Sequence, residues 1–193
     1  GTDAVWKYAT QHGIPKMIVV NACDKEGANF DSVLAGIREH FGDRVFPLMI
    51  PVNPGAEFNQ VLDVPRSEIV TYDGDRSGKF TEAPATGPWA ERVKQLHQEL
   101  IEHVAESDDS LMEKFFAQGS LSEEEMRAGI HKAIQEQVFV PLFVTSAENN
   151  IGVARLMDII AKYGSSPVDR RIVKAHDADG AECDVELNGT EPV

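Results

Sequence analysis

Apolar positions along the chain change period several times, and each change marks an element. Val5, Trp6 and Ala9 fall on one side of a helix over residues 1–12, which Gly13 and Pro15 stop. "MIVV" does not alternate, so residues 16–21 predict a central parallel strand covered on both faces. Val33, Leu34, Ile37 and Phe41 recur at helical spacing over residues 30–41, with Asp31 near the start and Gly42 past the end. "VFPLMIPV", residues 45–52, predicts a second strand, with Pro47 arguing for an edge or an irregular start. Helix, strand, helix, strand is the alternation of an α/β sheet.

The rhythm then breaks. Short β-like pieces at 58–64 and 68–72 sit among turn residues, and "DGDRSGKFTEAPATGP", 73–88, predicts an exposed loop. From Trp89 a long helical stretch carries Val93, Leu96, Leu100, Val104, Leu111, Met112 and Phe115 on its inner side, with a break near Ser107 to Asp109. Ser122 with Glu125 three residues on is a capping box, and Met126, Ile130 and Ile134 line the helix that follows. "VFVPLFVTSA", 138–147, predicts another buried strand, followed by a helix that carries Val153, Leu156, Met157, Ile160 and Tyr163. "GSSPVD", 164–169, is linker-like, and the polar tail has one β-like run, "ECDVEL", from Glu182. Residues 1–52 and 138–164 are therefore expected to share a sheet, 53–137 to form an insertion and 165–193 a linker and an incomplete start of something further.

Composition narrows the functions. The chain has 193 residues, 42% of them hydrophobic, enough for one substantial core. Thirty-two acidic against 18 basic residues give a net charge of -14, which argues against non-specific binding of DNA or other nucleic acid. Cys23 and Cys183 suggest no disulfide scaffold. No apolar run is long enough to span a membrane, and no leader opens the chain, so a cytoplasmic location is expected. Asn188-Gly-Thr190 matches a glycosylation sequon, a pattern common by chance. His12, His40, His97, His103, His131 and His176 show no metal-ligand spacing.

The chemistry gathers at two strand ends, where open α/β sheets bind ligands. One is Asn21-Ala-Cys-Asp24 and the other Thr145-Ser-Ala-Glu148. Asp24 suits an edge carrying two N–H donors. Asn21 suits a ring nitrogen or a tie between loops, and backbone N–H groups after Ser146 suit a carbonyl oxygen. Guanine presents that combination, although Asn, Asp and Ser at such places are also ordinary turn residues.

"NACDKEGANFDSVLAGI", "FPLMIPV", "FNQVLDV", "LMEKFFAQGSLSEEEMRAGIHKAI" and "VPLFVTSAENNIGVARLMDIIAKYGSSPVD", in that order, resemble the second half of the GTP-binding domain of bacterial elongation factor G. The resemblance covers nearly everything from Gly1 to Asp169. It implies a partial P-loop GTPase domain, the C-terminal half of a mainly parallel sheet with an α+β inserted subdomain. It further implies a ribosome-associated translocation GTPase using GTP or GDP with Mg²⁺, whose insert touches the ribosomal stalk protein. Asn21 and Asp24 fall on the first and last positions of the family's Asn-Lys-x-Asp motif, and Ser146 and Ala147 on its second guanine-contacting loop. Ala22, Cys23 and Thr145 are their neighbours. The family places lysine at Ala22, its stem on the base and its ammonium bridging to the phosphate loop; a methyl group does neither, so weaker nucleotide affinity is expected.

No complete G-x-x-x-x-G-K-[ST] loop occurs. "GDRSGKF", 74–80, is one residue short between its glycines, and "DADG", 177–180, only imitates the family's magnesium-side motif. The resemblance puts the phosphate loop and switch regions before residue 1, and no catalytic residue or metal ligand within the chain. The chain is thus expected to be an excised piece, inactive alone, of an active GTPase. The alternative is an elongation factor G-like paralogue that binds ribosome or nucleotide in regulation without translocating.

Overall fold

The computed structural model describes residues 1–166, 169 and 172–186. The sequon at Asn188 lies outside the described residues. Gly1–Tyr163 forms one compact unit and Gly164–Val193 another.

In the first unit, α1 (Thr2–Gln11) leads to β1 (Ile18–Val20), then α2 (Phe30–Phe41) and β2 (Val45–Pro47). The parallel sheet runs in the order β1-β7-β2, where β7 is Val140–Val144. All five residues of β7 are buried. The central, doubly covered strand is therefore β7, whereas β1, expected in that role, is an edge among the described residues, with Val19 44% exposed. On α1, Ala9 is buried and Trp6 lies 4.4 Å from the Phe41 ring of α2, but Val5 faces solvent, against expectation. On α2, Leu34 is buried while Val33 is exposed, so the inner face is narrower than the apolar spacing suggests. Asn29 caps this helix, its side-chain oxygen accepting from Ser32 N–H at 3.0 Å.

The strand expected over residues 45–52 is two strands in two sheets. After β2, β3 (Met49–Pro51) pairs antiparallel with β4 (Gln60–Asp63), followed by β5 (Glu68–Tyr72) and β6 (Phe80–Pro84) in the order β3-β4-β5-β6. Leu48 is the pivot. Its N–H donates to Leu142 of the parallel sheet at 2.9 Å, and its carbonyl accepts from Val64 beside the antiparallel sheet at 3.1 Å. One buried residue thus satisfies its two backbone groups on opposite sides. β6 corrects the expected loop over 73–88; its residues are largely exposed, as an edge strand's can be, so no apolar alternation announced it.

α3 (Pro88–Glu106) and α4 (Asp109–Gln118) are separated at Ser107 and Asp108, as the sequence predicts, with Asp108 capping α4 through Ser110 N–H at 2.9 Å. α5 (Glu123–Gln135) starts with the Ser122–Glu125 capping box, and both of its bonds are present. Gly129 lets α5 approach α3: a Cβ there would sit 2.2 Å from Val104 Cγ1.

α6 (Val153–Tyr163) departs from its apolar pattern. Met157 and Ile160 are exposed, and Arg155, Ile159 and Tyr163 are buried. Arg155 Nε lies 2.6 Å from Asp63 Oδ2, and its Nη2 lies 2.8 Å from Glu82 Oε1. Two carboxylates of the antiparallel sheet draw a cation into the core that periodicity alone would put outside.

The second unit contains a hairpin of β8 (Ile172–His176), not anticipated from sequence, and β9 (Glu182–Glu186). "DADG" is its turn: Asp177 Oδ1 accepts from Asp179 N–H at 3.0 Å and Ala181 N–H at 2.8 Å.

Candidate functional site

Parallel pairing of Val20 with Val144 brings the ends of β1 and β7 to one edge of the sheet. The pairing continues past both strands, with Thr145 N–H donating to Val20 at 2.9 Å and Cys23 N–H to Thr145 at 3.1 Å. Residues far apart in sequence, Asn21 to Asp24 and Thr145 to Asn149, therefore face one another.

Asn21 ties the loops together. Its Oδ1 accepts from the Thr145 hydroxyl at 3.1 Å and from Ala147 N–H at 2.9 Å. Ser146 N–H donates to Ile151 at 2.9 Å, and Ile151 N–H returns a 2.9 Å bond to Ser146, closing the second loop. Both sequence-predicted backbone donors already have protein partners. A ligand carbonyl arriving at Ala147 would share that N–H with Asn21.

Ala22 turns the first loop in a left-handed conformation, φ +63°. A non-glycine residue there carries roughly 1 kcal/mol of backbone strain. Cys23 is buried, its carbonyl accepts from Gly55 N–H at 2.8 Å, and burial pushes its thiol pKa up. It is a packing residue beneath the loop.

Asp24 has a side chain only 8% exposed. Its Oδ2 accepts from Asn149 Nδ2 at 3.2 Å and lies 3.6 Å from Lys25 Nζ. The Ser146 hydroxyl beside it holds the carboxyl below the usual carboxylate range, with Lys25 adding to the effect. Its Oδ1 is buried and has no hydrogen-bond partner among the described residues. A buried carboxylate oxygen left unpaired is costly, and the cost is relieved by a ligand that supplies a donor.

Glu148 closes the second strand end that the sequence marked, but Lys25 and Asn149 were not singled out by the sequence. Lys25 Nζ reaches across to Glu148 Oε2 at 2.9 Å and, with Asn149, brackets Asp24. No local signal marks Lys25 and Asn149, because their partners lie more than 120 positions away. A separate cleft of about 750 Å³ lies between the starts of α2 and α3 and strand β3, lined by Asn29, Ile50, Trp89 and Arg92 among others; none of the candidate residues lines it. Among the described residues no group of three His, Cys, Asp or Glu is placed to hold a metal ion.

Residues 1–166 match the family described as the Elongation factor Tu GTP binding domain. The chain is 30% identical over 191 residues to elongation factor G of Mycoplasma pneumoniae, an alignment covering 99% of the chain and 28% of that protein. A crystal structure from Thermus thermophilus superposes with a TM-score of 0.77 at 28% identity, covering 88% of this chain and 25% of that one. The chain therefore spans little more than a quarter of the length of these relatives.

Proposed function

The chain belongs to the elongation factor Tu GTP-binding domain family, and from that premise we propose that the loops after β1 and β7 hold the guanine base of GTP and GDP. In this reading Asp24 accepts the two N–H groups of the guanine edge, Asn21 joins the loops and approaches the ring, and Ala147 N–H, beside Ser146, meets the base carbonyl. The observation that carries it is the buried, unpartnered Oδ1 of Asp24. Ala22, Cys23 and Thr145 shape the loop around those groups.

The protein carrying this chain would be a ribosome-associated GTPase that promotes translocation of tRNA and mRNA in the cytoplasm. Residues 1–52 and 138–164 would form part of its nucleotide domain, 53–137 the insertion facing the ribosomal stalk protein, and 165–193 the passage to the next domain. No helix among the described residues is long and apolar enough to cross a membrane. The family pattern assigns phosphate and metal to a part of the protein outside this chain, and no catalytic step is assigned to these residues.

A second reading, a regulatory paralogue that binds nucleotide weakly, is favoured by Ala22, which offers neither a stem to the base nor an ammonium to the phosphates. Binding of GTP and GDP to the full-length protein separates the two. Asp24→Asn should weaken GDP binding about 10- to 100-fold, since one or two hydrogen bonds to a charged group are lost. It should also improve binding of xanthosine diphosphate, whose C2 carbonyl matches an amide N–H. Ala22→Lys should tighten both GTP and GDP. Equal GDP affinity in wild type and Asp24→Asn overturns the base assignment; equal affinity in wild type and Ala22→Lys overturns the role given to position 22.

A further inference from the structure

The turn of the β5–β6 hairpin, residues 73–79, rests on the loop after β7. It is internally fixed: Ser77 N–H donates to Asp75 Oδ1 at 2.9 Å, Lys79 N–H to Ser77 Oγ at 3.1 Å, and Asp73 N–H to the Lys79 carbonyl at 2.9 Å. Arg76 takes a left-handed conformation, φ +63°, and its carbonyl accepts from Asn150 Nδ2 at 3.2 Å. Gly78, φ +75°, leaves the space that the amide occupies; a Cβ there would stand 2.6 Å from Asn150 Nδ2 and 3.1 Å from its Cγ.

Asn150 also belongs to the loop that faces Asp24. Its own N–H donates to the Ala147 carbonyl at 3.3 Å, and its φ is +55°. Ala147 holds Asn21, and Asn149 holds Asp24. Below the loop, Gly152 has no spare room: a Cβ there would be 2.5 Å from the Val144 carbonyl. The loop is thus fixed from beneath by close backbone packing and from outside by a hairpin belonging to the other sheet.

We propose that Asn150 is a positioning residue through which the β5–β6 turn of the antiparallel sheet sets the geometry of the base-facing loop, so that moving the turn changes how long guanine nucleotide is retained. The second half of this statement rests on the guanine reading above; the first half does not. Arg76 contributes its backbone carbonyl to the latch. The hairpin therefore gives the antiparallel sheet a direct mechanical connection to the base site, without any residue of that sheet touching the base.

The test uses the full-length protein with two readouts. One is hydrogen exchange at the amides of Ala147, Asn149 and Asn150 without nucleotide; the other is dissociation of a fluorescent GDP analogue. Asn150→Asp keeps the size and the left-handed tolerance of the residue but removes the donor, and Gly78→Ala displaces the amide. Both should speed exchange at those amides and GDP release about threefold to tenfold, the loss of roughly one hydrogen bond. Exchange in β7 and α6 should stay unchanged. Arg76→Ala, which keeps the carbonyl, should leave both readouts at wild-type values. Unchanged loop exchange in both Asn150→Asp and Gly78→Ala overturns the latch, as does an Arg76→Ala effect as large as theirs. Faster loop exchange with no change in GDP release overturns the link to retention. If wild-type protein binds no guanine nucleotide, the guanine reading and that link fail together, and the exchange data alone decide whether the turn positions the loop.

Discussion

Two groups of charges bridge the parallel and antiparallel parts of Gly1–Tyr163 or the loops at the sheet edge, and they stand in opposite solvents. Arg155, 4% exposed, meets Asp63, 2% exposed, and the partly exposed Glu82. Lys25 and Glu148 meet with both side chains more than 60% exposed, next to the sheltered Asp24. Arg155 and Asp63 have already lost their water, so they depend on one another. The second group can exchange its partners for water at little cost. Permanence is built into the dry group and responsiveness into the wet one, and the candidate base site sits with the responsive group.

Breaking the dry group should have the largest effect. Arg155→Ala leaves Asp63 charged, buried and without its guanidinium, and should lower stability by about 3–5 kcal/mol. Thermal or urea unfolding measures this. Adding Asp63→Leu should recover a good part of the loss, because the stranded charge disappears with its partner. Burial pushes the Asp63 carboxyl up, against the pull of Arg155, and pushes the neighbouring Tyr72 hydroxyl up to about 12. If Arg155→Ala unfolds like wild type, water reaches the cluster and the contrast between the two groups collapses.

A smaller effect sharpens the contrast from the wet side. The Ser146 hydroxyl beside Asp24 favours its ionised form and lowers its folded-state pKa. Its contribution to stability is therefore present above the unfolded value of about 4 and lost as pH falls through the folded value. In the proposed reading, guanine binding needs the same ionised carboxyl. GDP affinity should stay level as pH drops through the ordinary carboxylate range and fall only below it. Ser146→Ala removes that hydroxyl and should move the acid limb to higher pH. An acid limb at the same pH in both proteins would mean that Ser146 does not set the charge state of Asp24.

The sequence made some of this legible and hid the rest for physical reasons. Helix α2, the capping box of α5 and the break at Ser107 were readable because their signals are local: spacing, a cap, a turn. Asn21 and Asp24 stood out because polar residues ended an apolar run. The split at Leu48 was hidden within a continuous apolar stretch, since only the partner strands decide which sheet each half joins. β6 was hidden by its polarity. Arg155 was hidden because its burial depends on Asp63 and Glu82, more than 70 positions away. Lys25, Asn149 and Asn150 likewise take their meaning from distant partners. Ala22 was visible as a departure from the family pattern, but its left-handed backbone was not.

The smallest expected effect tests how the wet group serves the site. Glu148 and Asp24 share Lys25, at 2.9 Å and 3.6 Å. Glu148→Gln removes the nearer charge and leaves Asp24 as the remaining anion for that ammonium. Lys25 would then lean toward Asp24 and compete with a base for its carboxylate. GDP affinity should fall about twofold at low salt and return to the wild-type value at high salt, where exposed charges are screened. The melting temperature should not move, because both side chains keep their water whether or not they are paired. Lys25→Gln, by removing the competitor, should abolish the effect of Glu148→Gln in the double variant. A fall in affinity that persists at high salt, or one that survives in the double variant, would mean that Glu148 acts by shaping the loop and not by occupying Lys25.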